Sequence, residues 1–406
     1  MALVVQKYGG SSVADAEKIK NVAQRIIKRR ETGDKVVVVI SAMGDTTDDL
    51  LKLAHQVCDK PSERELDALV STGELVSSSL LAMALEGKGH PAVSLSGAQA
   101  GIRTDANHSR ARIVDVRSAR VIQELDSGKI VIVAGFQGVT SEMDVTTMGR
   151  GASDTTLVAL AASLKADVCE RYTDVEGIYT ADPRIVPEAR SLKDISYEEM
   201  LEVATYGNKV MHARAIEIGA IYNVPICVRS SFVDSPGTLI HGEVSMEVRN
   251  KVRSIAHDLD VAKITVVGVP DRPGIAAALF EPLARAGVSV DTIVQNASIH
   301  NITDLTFTVA KSELDKAMEV SEPIARSIGA TECVSDARLG KVSVIGTGMQ
   351  NTPGYAARMF KVLSEQGINI QLISTSEIRI TCIIEESRVK DAALALHRAF
   401  ELDLET

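Results

Sequence analysis

The sequence predicts an α/β protein in two parts: a doubly wound sheet domain over residues 1–245, then two small ferredoxin-like domains. Three observations carry this. Uninterrupted β-branched runs, such as KVVVVISAM at 35–43, mark strands buried on both faces of a parallel sheet. Those runs alternate with stretches of helical periodicity. Beyond residue 262 the chain repeats itself at a spacing of about 80 residues, which is a duplicated domain rather than a solenoid unit.

In chain order, 2–5 reads as a buried strand and 13–29 as a helix with apolar Val13, Ala16, Ile19, Ala23, Ile26 and Ile27. Between them, Lys7-Tyr8-Gly9-Gly10-Ser11-Ser12 is a tight strand-to-helix turn. Its glycines allow close backbone approach and positive φ, and free N–H groups at a helix start attract an anion. Lys7 adds a positive charge at the strand end, so the turn suits a polyphosphate. The Walker pattern is absent. After the strand at 35–43, Thr47 or Asp48 caps a helix running to about Cys58. Ser71-Thr72-Gly73-Glu74 opens another helix. Strands follow at 92–95, 129–134, 168–172 and 225–229, and Gly149 to Thr156 leads into an apolar helix at 157–164. Every polar, glycine-rich segment falls at the carboxyl end of a strand, where doubly wound folds bind ligands.

The texture changes after His241. The charged stretch 243–253 reads as a linker helix within a linker at 246–262, and a strand near 252–257 would complete the second small domain. The repeat then pairs Lys263-Ile264-Thr265-Val266-Val267-Gly268 with Lys341-Val342-Ser343-Val344-Ile345-Gly346. It also pairs Asp271-Arg272-Pro273-Gly274-Ile275-Ala276 with Asn351-Thr352-Pro353-Gly354-Tyr355-Ala356. The two copies, 263–337 and 338–406, each read as a strand, a Pro-Gly turn, a helix, two strands and a helix.

The chain has 406 residues, 45% hydrophobic and 24% charged, with no tryptophan. Its net charge of −10 argues against a general nucleic-acid or anionic-membrane binder. No apolar run approaches a bilayer span, and the N-terminus enters a strand directly, so no membrane anchor or signal peptide is expected. Cys58, Cys169, Cys227, Cys333 and Cys382 are scattered without metal spacing and read as reduced core thiols of a cytoplasmic protein.

The string Lys7 to Val13 resembles the K-[FY]-G-G-[ST]-S-[VL] opening of aspartate kinases. Gly149-Arg150-Gly151-Ala152-Ser153-Asp154 resembles their G-R-G-G-S-D segment, with Ala152 where glycine is frequent. Tyr172 to Arg184 looks like their nucleotide loop, and the Pro-Gly repeats look like their paired ACT domains. The resemblance covers essentially the whole chain. It implies a carbamate-kinase-like catalytic domain, two ACT domains, and MgATP-dependent phosphorylation of the L-aspartate side-chain carboxylate.

Roles carried over by the resemblance are as follows. Lys7, Asp154 and Lys209 are catalytic: the lysines lie on the phosphate side, and Asp154 orients groups rather than attacking. Asp154 also suits an N-cap, and without the family Lys209 would read as a surface charge. Tyr8, Gly9, Gly10, Ser41, Ser153, Thr173, Asp174, Tyr179 and Arg184 surround ATP. Thr47, Glu74, Arg150, Gly151, Ala152 and Ser153 surround aspartate, with Arg150 for a carboxylate and Glu74 for the α-amino group. Glu74 alone would read as a helix-dipole carboxylate. No protein-held metal site is expected. Effector contacts are assigned to Asp271, Gly274, Ile275, Ala276, Ser289, Asp291 and Gln295 in the first repeat. In the second they are Tyr355, Ala356, Asn369, Ile370, Thr375 and Ser376. The effector is left open between lysine, threonine or both. Pairing of ACT sheets predicts a homodimer or higher oligomer, and Met246 offers a start for a short regulatory subunit. Rival readings are a kinase for acetylglutamate, glutamate or UMP, and a non-catalytic amino-acid sensor.

Overall fold

Leu3–Tyr8 and Lys35–Ile40 lie at the middle of an eight-stranded sheet because five of six residues in each are buried. Across the sheet the strands run Asp194–Ser196, Thr238–His241, Ile226–Ser230, Val168–Thr173, Leu3–Tyr8, Lys35–Ile40, Ile130–Ala134 and Ala92–Leu95. All neighbours are parallel except Thr238–His241 against Ile226–Ser230. The structure, a computed structural model, describes residues 1–149, 151–207, 210–242, 252–296, 301–349 and 352–404. Arg150, Lys209, Met246 and Asn351 lie outside the described residues, as does the expected linker helix apart from Val252 and Arg253, which are not helical.

The sheet belongs to a first unit comprising Met1–Tyr179, Ser191–Thr205 and Lys209–Glu247. Helix Ala16–Glu31 buries Ile19, Val22, Ala23 and Ile26, one stripe of a 3.6-residue period. It packs with helix Thr72–Glu86 over the face that carries Tyr8. The opposite face is covered by Ser153–Leu164, buried from Ser153 to Ala161, beside Ala213–Tyr222. A small four-stranded sheet (Ile113–Val116, Ile102–Thr104, Gln137–Val139, Val145–Thr147) sits beside them. The expectation that no segment approaches a bilayer span needs correcting. Glu63–Glu86 reaches the length and mean hydropathy (1.5) of one, but half of that window is buried in the unit. The stretch is two helices meeting at Ser71, and it buries Glu74, Ser77 and Ser78.

The second unit comprises Thr180–Arg190, Tyr206–Asn208 and Val248–Thr406. Its six-stranded antiparallel sheet is built around two long strands, Ser254–Pro270 and Glu332–Ile345, and each serves both repeats. Lys263 to Val267 pair with Asp336 to Glu332 in the first repeat, and Ser254 to Asp258 pair with Ile345 to Lys341 in the second. Each repeat has its own core, around Leu279, Leu283 and Phe307 in the first and Val344, Met359 and Leu396 in the second.

The expected unbroken 1–245 domain is interrupted by a physical cause. Ala181 and Val186 are part of the second repeat's core. The Thr180 hydroxyl is 2.9 Å from His397 Nε2, and Ile255 N–H donates to the Thr180 carbonyl. Among the cysteines, Cys169 and Cys382 are buried, but Cys58 is exposed at a helix end and is not a core thiol.

Candidate active site

The site is built where the central strands of the first unit end. Lys7 interrupts an apolar strand, and alternation sends its side chain to the face covered by helix Ser153–Leu164. There its Nζ lies 2.7 Å from Asp154 Oδ1. Arg171, paired in register with Lys7 on the adjacent strand, brings Nε to 3.2 Å from the same oxygen. The main-chain N–H of His212 donates to Asp154 Oδ2 at 3.3 Å. All three charged side chains are buried. Burial pushes the Asp154 carboxyl up, but the charges of Arg171 and Lys7 outweigh it and hold the group at about 2. Burial also lowers Lys7, with Asp154 opposing and Arg171 assisting.

The turn after Lys7 works differently from the expectation. Gly9 has φ −75°, and neither Gly9 nor Gly10 has positive φ. What Gly10 provides is space: a Cβ there would lie 2.9 Å from the Ala42 carbonyl oxygen. The long helix begins only at Ala16, capped by Asp15, so the turn itself is a short 3-10 segment, Gly10–Val13. Tyr8 is fully buried on the opposite face, stacked on Tyr172 at 4.7 Å, so only its backbone reaches the strand end. Ser153 closes against the end of Ile130–Ala134, where a Cβ on Gly135 would meet its hydroxyl at 2.8 Å.

Glu74 lies beneath the end of Lys35–Ile40. Its Oε1 accepts from Ala42 N–H at 3.1 Å, and its Oε2 is buried with no hydrogen-bond partner among the described residues. Desolvation raises the group to about 7, against the Ala42 hydrogen bond. Ser41 and Thr47 are half-buried close by in sequence, Gly151 is exposed, and Ala152 is buried. The placement thus gathers Lys7, Gly9, Gly10, Ser41, Glu74, Ser153 and Asp154 around the strand ends.

Thr173 is buried at the end of its strand, with its hydroxyl on Asp174 at 2.9 Å, and Tyr179 is half-buried. Arg184 belongs to the second unit, where its guanidinium forms two bonds to Asp182 (3.0 and 2.7 Å) and stays exposed. In the repeats, Gly274 (φ +93°) and Gly354 (φ +109°) stand at matching helix starts, a conformation that favours glycine. Asp271, Gly274, Ala276, Ser289, Gln295, Asn369, Thr375 and Ser376 are exposed. Ile275 is buried in the first core, Ile370 and Ala356 pack against the second, and Tyr355 stacks on Phe400 at 6.2 Å. Asp291 is ion-paired with Lys341.

Sequence reasoning missed Arg171 and His212. The signal for Arg171 was present: a charge within VCERYT, a strand otherwise read as buried, needs a partner or a task.

A buried cluster of charges at the strand ends of a doubly wound sheet, followed by a duplicated ferredoxin-like unit, defines a class. The sequence matches the amino acid kinase family over residues 2–230 and the ACT domain over 264–321 and 342–400. The chain therefore belongs to the amino acid kinase family, joined here to ACT domains. It is 52% identical over 99% of its length to the aspartokinase of Mycolicibacterium smegmatis, covering 97% of that protein. It is 50% identical to the aspartate kinase of Pseudomonas putida, covering 99% of this chain and 98% of that one. Among solved structures, E. coli aspartokinase III in complex with aspartate and ADP aligns with TM-score 0.82 at 25% identity, covering 98% of this chain and 99% of that one. Synechocystis aspartate kinase aligns with TM-score 0.55 at 43% identity, covering 100% of this chain and 70% of that one. Within the family this chain is one of the aspartokinases.

Proposed function

We propose that the first unit transfers the γ-phosphoryl group of ATP to the side-chain carboxylate of L-aspartate, giving 4-phospho-L-aspartate, the first step toward lysine, threonine and methionine. The observation that carries this is the buried Lys7–Asp154 pair at the ends of the central strands. A bond forms between a carboxylate oxygen and the γ-phosphorus, the bond from that phosphorus to the bridging oxygen breaks, and ADP leaves. The nucleophile is already ionised at pH 7, so no base is needed. Two anions must meet, and the work is positioning and charge neutralisation.

Lys7 and the N–H groups beside Gly9 and Gly10 meet the transferring oxygens. Asp154 holds Lys7 in place. Lys209 and Arg150 complete the phosphate and carboxylate sides. Glu74, buried with a free carboxylate oxygen, receives the α-ammonium, while Ser41, Thr47, Gly151 and Ser153 supply polar contacts. Thr173, Asp174 and Tyr179 form the nucleotide surroundings. Among the described residues no three His, Cys, Asp or Glu side chains group as a metal cage. Mg2+ would accordingly enter on the phosphates of ATP, as part of the substrate.

The second unit senses lysine, threonine or both. The exposed turns that begin helices Ile275–Arg285 and Tyr355–Glu365 offer backbone N–H groups to an α-carboxylate. An ammonium competing for Asp291 would release Lys341, whose Nζ also lies 5.7 Å from the Tyr206 ring. Exposed positions on the edge strands Ile293–Gln295 and Leu372–Thr375 favour pairing with a second chain, and Met246 would start a short subunit.

Purified chain with ATP and hydroxylamine should give aspartyl hydroxamate with aspartate, and none with glutamate or acetylglutamate. Absence of product with aspartate, or ADP release with UMP instead, would select a rival reading. Lysine and threonine, added singly and together, identify the effector.

A further inference from the structure

Among the described residues, the buried cluster beneath the strand ends has an unbalanced charge. Lys7 and Arg171 contribute two positive charges and Asp154 one negative, all on one face. The carboxylate of Glu170, the neighbouring residue, is committed on the opposite face to Gln6 and Tyr172, at 2.9 and 3.2 Å. Cys169, on the Arg171 face, is held as the neutral thiol by burial. Arg171 spends Nε on Asp154, while its Nη1 is buried with no hydrogen-bond partner among the described residues. Burying a surplus cation is unfavourable unless an anion arrives to match it.

A lysine paired one-to-one with an aspartate is a neutral pair. It offers a phosphoryl group a dipole rather than a charge, and turning Nζ toward the phosphate would strand Asp154. Arg171 removes both problems. Its Nε–H is shared between the two Asp154 oxygens, at 3.2 and 3.3 Å, so the carboxylate stays paired when Lys7 turns away. The surplus positive charge then belongs to the phosphate side.

We propose that Arg171 is a positioning residue for phosphoryl transfer: it holds Asp154 so that Lys7 is free to bond the transferring group, and it keeps the cluster cationic. This rests on the reading of Lys7 as the phosphoryl-side cation. The surplus charge is retained at a cost in stability, so its removal leaves the fold as stable or more so.

The test uses the full chain, with kcat and both KM values from the hydroxamate assay and thermal unfolding alongside. Arg171→Met should lower kcat roughly 30-fold, with both KM values within about threefold, because the interaction matters in the transition state. Its melting temperature should equal or exceed that of the wild type. Arg171→Lys, which keeps the charge, should recover kcat to within about fivefold of wild type. Wild-type kcat in Arg171→Met would overturn the proposal, as would Arg171→Lys being no better than Arg171→Met. If the Met variant fails to fold, Arg171→Gln carries the same expectation. An inactive Lys7→Ala beside a fully active Arg171→Met would overturn the role of Arg171 alone. A fully active Lys7→Ala would overturn the reading of the site beneath it.

Discussion

The charged cluster at Lys7 in the first unit and the helix-start turns of the second present positive potential by opposite means. Around Lys7 the charges are buried side chains, locked to one another before any ligand arrives. At Gly274 and Gly354 the apparatus is an exposed turn with backbone N–H groups, repeated once, and most side chains assigned around it are solvent-exposed. The difference suits the tasks proposed for them. Stabilising charge that develops during transfer requires fixed, dehydrated donors. Sensing an amino acid requires only differential affinity between two arrangements, for which a tuned, exposed turn suffices.

The sharpest way to break this contrast is to remove the fixed charge. Lys7→Ala should cut turnover about 10²–10³-fold or more while the chain stays folded. A folded variant with near-normal turnover would show that fixed charge is not what the first unit uses.

Glu74 probes the substrate half. With its carboxyl raised to about 7, it is protonated below that pH and cannot pair with the aspartate ammonium. The aspartate KM should therefore rise as pH falls through about 7, while the ATP KM stays level. Glu74→Gln should raise the aspartate KM about tenfold and flatten that dependence. The stability sign runs the other way. A raised folded-state value means the folded chain holds the proton longer, so Glu74 destabilises the unit increasingly as pH climbs from 4.5 to about 7. Glu74→Gln should melt higher than wild type at pH 8. Unchanged melting at pH 8, with a flat KM profile in the wild type, would contradict the burial argument.

On the effector side, Gln295→Ala should leave uninhibited turnover near normal and raise the inhibitory concentration of lysine or threonine about tenfold, through lost hydrogen bonds to the effector. Loss of turnover with an unchanged inhibition curve would make Gln295 structural.

The smallest effect separates the two repeats. Only the second has Ala181 and Val186 in its core and Thr180 bonded to His397. Thr180→Val should cost about 1 kcal/mol in denaturant unfolding of the full chain. Burial lowers His397, so this repeat should also lose stability as pH falls below about 6.5. No change in either measurement would mean that the Thr180–His397 contact contributes nothing.

How much of this was legible follows the same contrast. The continuous runs at 35–40 and 130–134 announced buried parallel strands, and the repeat announced the second unit before any residue in it had a role. Lys7 and Asp154 were readable from their motifs. Arg171 was legible only as a buried-strand charge in need of a partner, because a single charge within a strand carries no spacing that names one. The strands at 102–104, 137–139 and 145–147 are three residues each, too short for periodicity to show. The glycines after Tyr8 were visible, but their purpose depends on how closely Ala42 approaches, a tertiary fact. The passage of Thr180–Arg190 into the second core has no local signal, since Ala181 and Val186 look like ordinary loop residues until Leu396 and Met359 are placed beside them.

Heavy oxygen shows whether the cluster at Lys7 drives attack by the aspartate side chain on ATP. The chain is given ATP and aspartate whose side-chain carboxylate is enriched in heavy oxygen, and hydroxylamine traps the product by attacking its carbonyl carbon. The released phosphate should then carry one heavy oxygen, inherited from the carboxylate that attacked, and Lys7→Ala should release almost none. Unlabelled phosphate at the wild-type rate would mean that water, not aspartate, attacks the nucleotide, and would rule out formation of the acyl phosphate.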